Sequence, residues 1–388
     1  MKIQDRFGSY LNLEFLKPRE KFLVLGLSPQ RTTAALLGLD DDKKITLEKF
    51  WDDFSLKGLQ AHSIQQLKKR KLIVSADPAL TTTVSVPVEL ARRAEDAANP
   101  IVLEEIETLL AQAMGRLFIA ERAAAAKRLG GSDLDTILVN AKTGHWKIDR
   151  HAVMNPEGFT GKKIEAVLDL TFTTRGIFEW LKPFFNAREG FFFTETPRAG
   201  LQTLLRFEEA PLALIEISAE GSVLFMIEKT AWGTAVVREN VGWPMRTLFE
   251  RITEAVPTSR EVVLELYDRH LRGEMAEHAH RAFTKIMKPE LDAFLARVGK
   301  SKLKGRAYLH SPLPLPVALP FKEGRVELGE IPLASVLAKS GFFIDAKDWP
   351  FAAADIFMTL APFLEFYYDK SGSEVNNKLR RRVHWLIQ

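Results

Sequence analysis

Hydrophobic positions along the chain fall into a few patterns that predict local structure. Phe22-Leu-Val-Leu-Gly-Leu27 is a continuous apolar run, Ser28-Pro-Gln-Arg31 is polar and turn-forming, and Thr32 to Leu37 is apolar again, which predicts a strand, a tight turn and a returning strand. Leu212-Ala-Leu-Ile-Glu-Ile217, a turn carrying Gly221, and Ser222 to Ile227 repeat the arrangement far downstream. Two such hairpins, one opening each half of the chain, suggest a duplicated fold, although strand–turn–strand is also the commonest short-range β signal. Between them Leu72 to Ala76 predicts a short strand. Val102, Ile106, Leu109, Leu110, Ala113, Met114 and Leu117 keep helical spacing on one face. Thr136 to Asn140 and Lys163 to Phe172 predict strands on either side of a Gly- and Pro-marked connection, and Gly176 to Phe185 predicts a helix.

The second half adds a strand near Val236 to Arg238, then two helices over Trp243 to Val256 and Ser259 to Val298, with Pro257 and Pro289 as break points. Ala307 to Leu319 is apolar but interrupted by proline, and Ser335 to Ile344 fits neither period. Phe191 to Phe193 and Phe342-Phe343 read as core strands. Mixed strands and helices in this order give an α/β protein.

Composition narrows the class. At 388 residues the chain exceeds one compact core, and 46% hydrophobic with 27% charged residues is ordinary for globular domains. Lys+Arg 54 against Asp+Glu 50 is too small and too dispersed an excess for a nucleic-acid binder. With no cysteine, disulfides, thiolate metal sites and cysteine nucleophiles are excluded. The N-terminal stretch carries Lys2, Asp5, Arg6 and Glu14 and lacks a signal-peptide core. No run is long and apolar enough to span a membrane, so a cytoplasmic protein is expected.

The most specific string is Asn155-Pro-Glu-Gly-Phe-Thr-Gly-Lys-Lys-Ile-Glu165. It resembles the Asn-Pro-x-Gly-x-x-Gly-x-x-Leu-Glu string of the bacterial cell-division protein FtsA, an actin-like protein. Pro100-Ile-Val-Leu-Glu-Glu-Ile106 and Lys147-Ile-Asp149 are similar to two further phrases of that family in corresponding places. The order of these features agrees over residues 20 to 255 and more loosely to 388. The resemblance implies an actin-like (ribonuclease-H-like, duplicated) two-domain fold with a small strand–helix–strand–strand (SHS2) subdomain. Its expected boundaries are a leader over 1–20, a first domain over 21–88 and 171–206, the small subdomain over 89–170, a second domain over 207–370, and a linker with a basic tail over 371–388.

In that family the two hairpins are phosphate loops bearing aspartates and glycines, and the bound group is ATP with magnesium. The corresponding nucleotide-site positions here are Ser28, Gln30, Arg31 and Thr32 in the first loop, Glu216, Ser218, Gly221 and Ser222 in the second, and His310 and Ser311 on the adenosine side. Both aspartates are replaced, by Ser28 and Glu216. Pro29 removes an N–H donor, and Glu220 adds negative charge. The resemblance therefore implies a cleft in which ATP hydrolysis is lost, while Arg31, Thr32 and Ser222 remain able to hold a phosphate.

The last segment carries Leu379, Val383, Leu386 and Ile387 on one helical face, with Lys378, Arg380, Arg381 and Arg382 around it and Trp385 where an interfacial ring would sit. That pattern suits a helix on an anionic membrane surface, and FtsA-like proteins end in a similar hook. The competing reading packs the same apolar face on the body. The implied function is an actin-like scaffold at the inner face of the cell membrane in cell division, a pseudo-ATPase partnering the division tubulin FtsZ or another division or pilus protein, with self-association and no nucleic acid. Alternatives are a PilM-like pilus-assembly adaptor, which binds a peptide of a membrane partner, and a working ATPase using Glu216. His270, His278 and His280 read as a solvated helix face with no metal spacing, and Lys68 to Lys71 reads as a solvated basic turn.

Overall fold

The structure is a computed structural model that describes residues 20–55, 61–184, 191–209, 211–370 and 374–387. The expected leader lies outside the described residues except for its last residue, Glu20, and so do the side chains of Trp385 and Leu386 in the tail.

The chain opens with an antiparallel meander of β1 (Glu20–Leu27), β2 (Thr32–Leu39) and β3 (Lys44–Trp51), then α1 (Ala61–Lys68) and β4 (Lys71–Ala76), which returns parallel to β1. A separate unit follows, with β5 (Thr81–Ala91), the long α2 (Leu103–Leu129), β6 (Thr136–Ile148), the two-residue β7 (His151–Ala152) and β8 (Lys163–Thr174). The chain re-enters the first unit through α3 (Arg175–Leu181), β9 (Phe191–Glu195) and α4 (Thr196–Phe207). The second half repeats the opening with β10 (Leu212–Ile217), β11 (Ser222–Thr230) and β12 (Gly233–Asn240). Three helices come next, α5 (Arg246–Ala255), α6 (Arg260–Leu271) and α7 (Glu277–Lys300). The sheet resumes with β13 (Gly305–His310), β14 (Phe321–Glu323) and β15 (Val326–Gly329). The last elements are α8 (Leu333–Ser340), β16 (Phe343–Ile344), α9 (Ala353–Lys370) and α10 (Glu374–Ile387).

The two halves share one plan. The first sheet runs β16-β3-β2-β1-β4-β9 and the second β12-β11-β10-β13-β15-β14, and in each a meander is continued by a parallel strand beside its first strand. Side-chain parity explains the apolar runs. Phe22 and Val24 of β1, with Leu212 and Leu214 of β10, face a shared core around α4 and α9. Leu23, Leu25 and Leu27 face the opposite core, as Ala213, Ile215 and Ile217 do in the second half. A strand covered on both faces has no polar side to show. This duplicated arrangement is the actin-like fold.

Between the sheets α4 crosses α9 at Gly200, where an added Cβ would lie 2.9 Å from a methyl of Leu214 and 3.3 Å from the Met358 sulfur. A larger residue there would press first on Leu214 of β10 and then on Met358 and Phe357 of α9.

The small unit is a four-stranded sheet, β5-β8-β6-β7, backed by α2 through Ile106, Leu110, Ala113 and Met114. The Asn155 to Glu165 string is the turn that feeds β8. Gly158 is left-handed (φ 83°), and its N–H donates to Ile101 O at 2.9 Å while Ile101 N–H donates back to Phe159 O at 2.7 Å. Buried Arg92 grips Glu105 with two nitrogens, at 2.7 and 2.9 Å, and donates to Gly161 O at 2.9 Å, which ties this turn to the start of α2.

Several local expectations are corrected. Pro289 lies inside α7 without ending it, on an exposed position where water can serve the carbonyl it frees. The break falls instead between α6 and α7, where Gly273 takes a positive φ. Ser335 to Ile344, unreadable by period, divides into most of α8 and all of β16. Phe342 is core, but Phe343 is exposed. His270 is 5% exposed and stacks on His280, so it does not belong to a solvated face. In the basic run, Arg70 pairs with Glu48 and Lys71 with Glu20.

Candidate functional site

The two hairpin turns face each other across the cleft and are built alike. In the first, Ser28 N–H donates to Arg31 O at 3.0 Å and Arg31 N–H donates to Ser28 Oγ at 3.2 Å. In the second, Ser218 N–H donates to Gly221 O at 2.7 Å and Gly221 N–H donates to Ser218 Oγ at 3.2 Å. Ser28 is thus the counterpart of Ser218. Glu216 corresponds instead to Gly26, which faces Ser75 in the parallel ladder as Glu216 faces His310. The sequence matching had set Ser28 against Glu216, and strand register corrects it.

A cavity of about 420 Å³ opens between the turns. On the first-domain side it is lined by small residues, Gly26, Thr33, Ala35 and Ser75, over a floor including Phe50, Phe351 and Met358. On the other side His310 is held by two carboxylates. Its Nδ1 lies 2.7 Å from Glu216 Oε2 and its Nε2 3.3 Å from Asp355 Oδ1, on the first turn of α9. Burial works against a charge on the ring, but Glu216 and then Asp355 outweigh it and push His310 up to about 10. The imidazole is cationic at neutral pH, with both nitrogens committed. Nearby Asp77 is pushed up to about 6, chiefly by burial, with its Ala79 N–H contact pulling the other way and Glu216 adding to the rise.

Charge and donors in this cleft do not suit a nucleoside triphosphate. Four carboxylates line it (Asp52, Asp77, Glu216 and Asp355) against two cations. Arg31 is engaged by Asp52 at 2.7 and 2.8 Å, and His310 by its two acids. Of the turn amides, those of Ser28, Arg31, Ser218 and Gly221 are spent inside the turns, and Pro29 has none. Glu220 is neutralised on the outside by Arg246 at 2.5 Å.

The expected site residues therefore divide. Ser28, Gln30, Arg31, Glu216, Ser218 and His310 line the cavity. Thr32 presents its carbonyl to Phe54 N–H at 2.6 Å. Ser222 is fully buried and accepts from Trp243 N–H at 3.2 Å, and Ser311 points at the Met245 sulfur at 3.5 Å. Gly221 only closes its turn. Ser222 is enclosed away from the cavity, whereas Arg31 lines it with one guanidinium nitrogen turned to Asp52. Asp77 and Asp355 were not singled out by sequence. Asp77 directly follows β4, the parallel neighbour of β1, which is a positional signal for it.

The tail is placed differently from the expected membrane helix. Leu379 (1% exposed) and Val383 (0%) of α10 are buried in the core of the small unit, so these two positions of the expected lipid face are occupied. Arg380 is buried and ion-paired with Asp369, which also lies 3.6 Å from Lys142 Nζ, and its guanidinium sits 5.7 Å from the Phe192 ring centre. Burial opposes the Asp369 charge, but Lys142 and then Arg380 hold the carboxyl below its usual range. Lys378 and Arg382 both pair with Glu107 of α2. Asn376 copies a neighbouring strand, since its Oδ1 accepts from Thr143 N–H at 2.8 Å and its Nδ2 donates to Thr143 O at 3.2 Å on the open edge of β6. Arg381 remains exposed. Among the described residues no helix is long and apolar enough to cross a membrane.

Beside α10 lies a second, larger groove of about 860 Å³. It is bounded by β6 from Lys142 to Lys147, the Val153 to Asn155 loop, the β11–β12 turn at Trp232, and Tyr368. His145 and Gly233 close one end, with His145 Nε2 3.3 Å from Thr234 Oγ1, and Met154 is fully exposed at the rim.

Comparisons with known proteins bear on the fold. No family model matches the sequence, and no curated protein matches it. Among solved structures the chain is similar to a chain of the PilM–PilN type IV pilus biogenesis complex, at 13% identity over 94% of this chain and 99% of that one, with a TM-score of 0.47. A protein with an actin-like ATPase fold from Bacteroides thetaiotaomicron is similar at 8% identity over 90% and 98% of the two chains, with a TM-score of 0.33. The cytoplasmic domain of EpsL, an inner membrane component of the type II secretion system of Vibrio cholerae, is similar at 10% identity over 83% and 94%, with a TM-score of 0.29. At such identities the likeness concerns the fold alone.

Proposed function

We propose that this protein is an actin-fold scaffold without nucleotide turnover, an adaptor that engages a segment of an inner-membrane assembly partner. The observation that carries this reading is the Glu216–His310–Asp355 clasp. It places a committed imidazolium and two carboxylates where phosphates would have to lie. A polyphosphate would bring further negative charge into a lining that already holds four carboxylates against two cations, of which His310 is enclosed by its two acids. Titrating the purified chain with ATP and Mg²⁺ in a calorimeter is expected to yield no binding heat up to millimolar ATP. Micromolar binding would overturn the pseudo-ATPase reading, and turnover lost in Glu216→Gln would replace it with the ATPase alternative.

The adaptor reading is favoured over a self-anchoring division scaffold by the packing of α10. Leu379 and Val383 pack inside the body and are not offered to lipid, which favours a partner that brings the membrane segment. The groove beside β6 has the size to take a peptide segment, and its wall combines polar β6 positions with the apolar Trp146, Trp232 and Val375. PilM–PilN and EpsL are named for pilus and secretion machinery, and a partner of that kind is the one proposed here. Co-purification from native membranes is expected to recover a pilus or secretion membrane protein. Recovery of the division tubulin instead would restore the division reading.

A further inference from the structure

His270 and His280 belong to neither the cleft nor the groove. His270 ends α6 and His280 begins α7, and their rings stack with centres 4.1 Å apart and planes 18° from parallel. His270 is 95% buried by its 5% exposure, its ring centre is 5.7 Å from that of Phe283, and its Nδ1 is buried with no hydrogen-bond partner. Both rings line a cavity of about 530 Å³ between the α6–α7 hairpin and the connection from Pro316 to Phe321.

We propose that the His270–His280 stack is a proton-operated latch that holds α6 against α7 and closes one wall of this cavity. Two neutral imidazoles can stack face to face at this distance, whereas a proton on His270 must be carried in a buried, largely apolar wall, against the ring of half-exposed His280. Most charged groups around it are engaged with one another or stand at the solvent-exposed rim. On α6, Arg269 pairs with Glu265, and Arg272 pairs with Asp268 and Glu274. On α7, Glu277 is taken by Arg281, His278 is exposed, and Lys288 and Asp292 sit on exposed turns at the cavity rim. The connection contributes Pro316, Val317, Ala318 and Phe321 to the lining, none of which titrates. Among the described residues no carboxylate pairs with either ring. Burial, and then His280, hold His270 below the ordinary histidine value of 6.5. The unfolded or opened hairpin therefore binds the proton more readily than the closed one, and closure is lost as pH falls below 6.5.

Hydrogen exchange of the full chain, followed by mass spectrometry at pH 7.5 and 5.5 and corrected for intrinsic rates, reads the latch directly. In the wild type, α6 and the first turns of α7 are expected to exchange faster at pH 5.5, by up to about tenfold, the ceiling that one pH unit of linkage sets for one group. His270→Phe keeps a ring in the stack and removes the titration, so its α6 should show no such change. Should His270→Phe fold poorly, His280→Gln removes the like charge and is expected to reduce the effect. An unchanged α6, an acceleration that persists in both variants, or an equal acceleration in α2 would overturn the proposal.

Discussion

Replacing Asp369 by alanine is expected to lower the stability of the chain by about 3–5 kcal/mol, the usual cost of stranding a buried charge. Asp369 is the hub of a polar cluster. It pairs with Arg380, lies 3.6 Å from Lys142 and accepts from Asn376 at 3.2 Å, while Glu365 completes the cluster through Lys142 at 3.5 Å and Thr194 at 2.8 Å. Removing its carboxylate leaves Arg380 buried without its anion and takes away a contact that seats Asn376 against β6. Replacing both Asp369 and Arg380 by leucine should cost far less, because no charge is then orphaned. Urea denaturation gives the magnitude, and limited proteolysis shows whether α10 detaches first. A loss below about 1 kcal/mol for the single variant would mean that the cluster is solvated and does not hold the tail.

Stability should fall as pH rises from about 6.5 to 10, and His310 is the reason. Its folded value is raised above the unfolded one, so its contribution is fully present below 6.5 and is lost as pH climbs through about 10. The change is on the order of 3 kcal/mol, less than the full shift would imply because water reaches the edge of the ring. Asp77 acts in the same direction at lower pH, since a carboxyl raised from 3.8 to about 6 favours the folded state only while protonated. The His310→Leu variant leaves Glu216 and Asp355 facing each other without a cation. It should be less stable at pH 7 and nearly flat from pH 7 to 10. Parallel pH profiles for wild type and variant would show that His310 carries no proton across that range. The same variant tests the cleft, because opening the clasp frees Glu216 without providing a phosphate-binding cation.

Much of the architecture was legible locally. The apolar run of β1 and its Ser-Pro-Gln-Arg turn announce a hairpin because a strand buried on both faces and a proline-bearing turn are properties of neighbouring residues. The same holds for β10 and β11, for the stripe of Ile106, Leu110 and Ala113 along α2, and for the glycines that aim β8. Where prediction failed, a distant partner decided. His270 carries no mark of burial until α7 folds back on it, and Pro289 is tolerated because its side of α7 faces water.

The candidate site shows the same division. The sequence shows two strand–turn–strand runs whose turns carry neither an aspartate nor a Gly-Gly pair, and the family resemblance implied that these turns, with Glu216 and His310, border one cleft. Only the tertiary structure decided that these two meet, because they lie 94 residues apart and are brought together by the register of β10 against β13, and that Asp355 closes the clasp from α9. The tail is the clearest case. Its basic, amphipathic pattern is equally suited to a membrane surface and to a protein surface, since both bury one apolar face and tolerate cations around it. Asp369, Glu107 and the edge of β6 are three places far apart in the chain that only folding assembles, and they meet Arg380, Lys378 with Arg382, and Asn376 of the tail, while Leu379 and Val383 enter the core of the small unit.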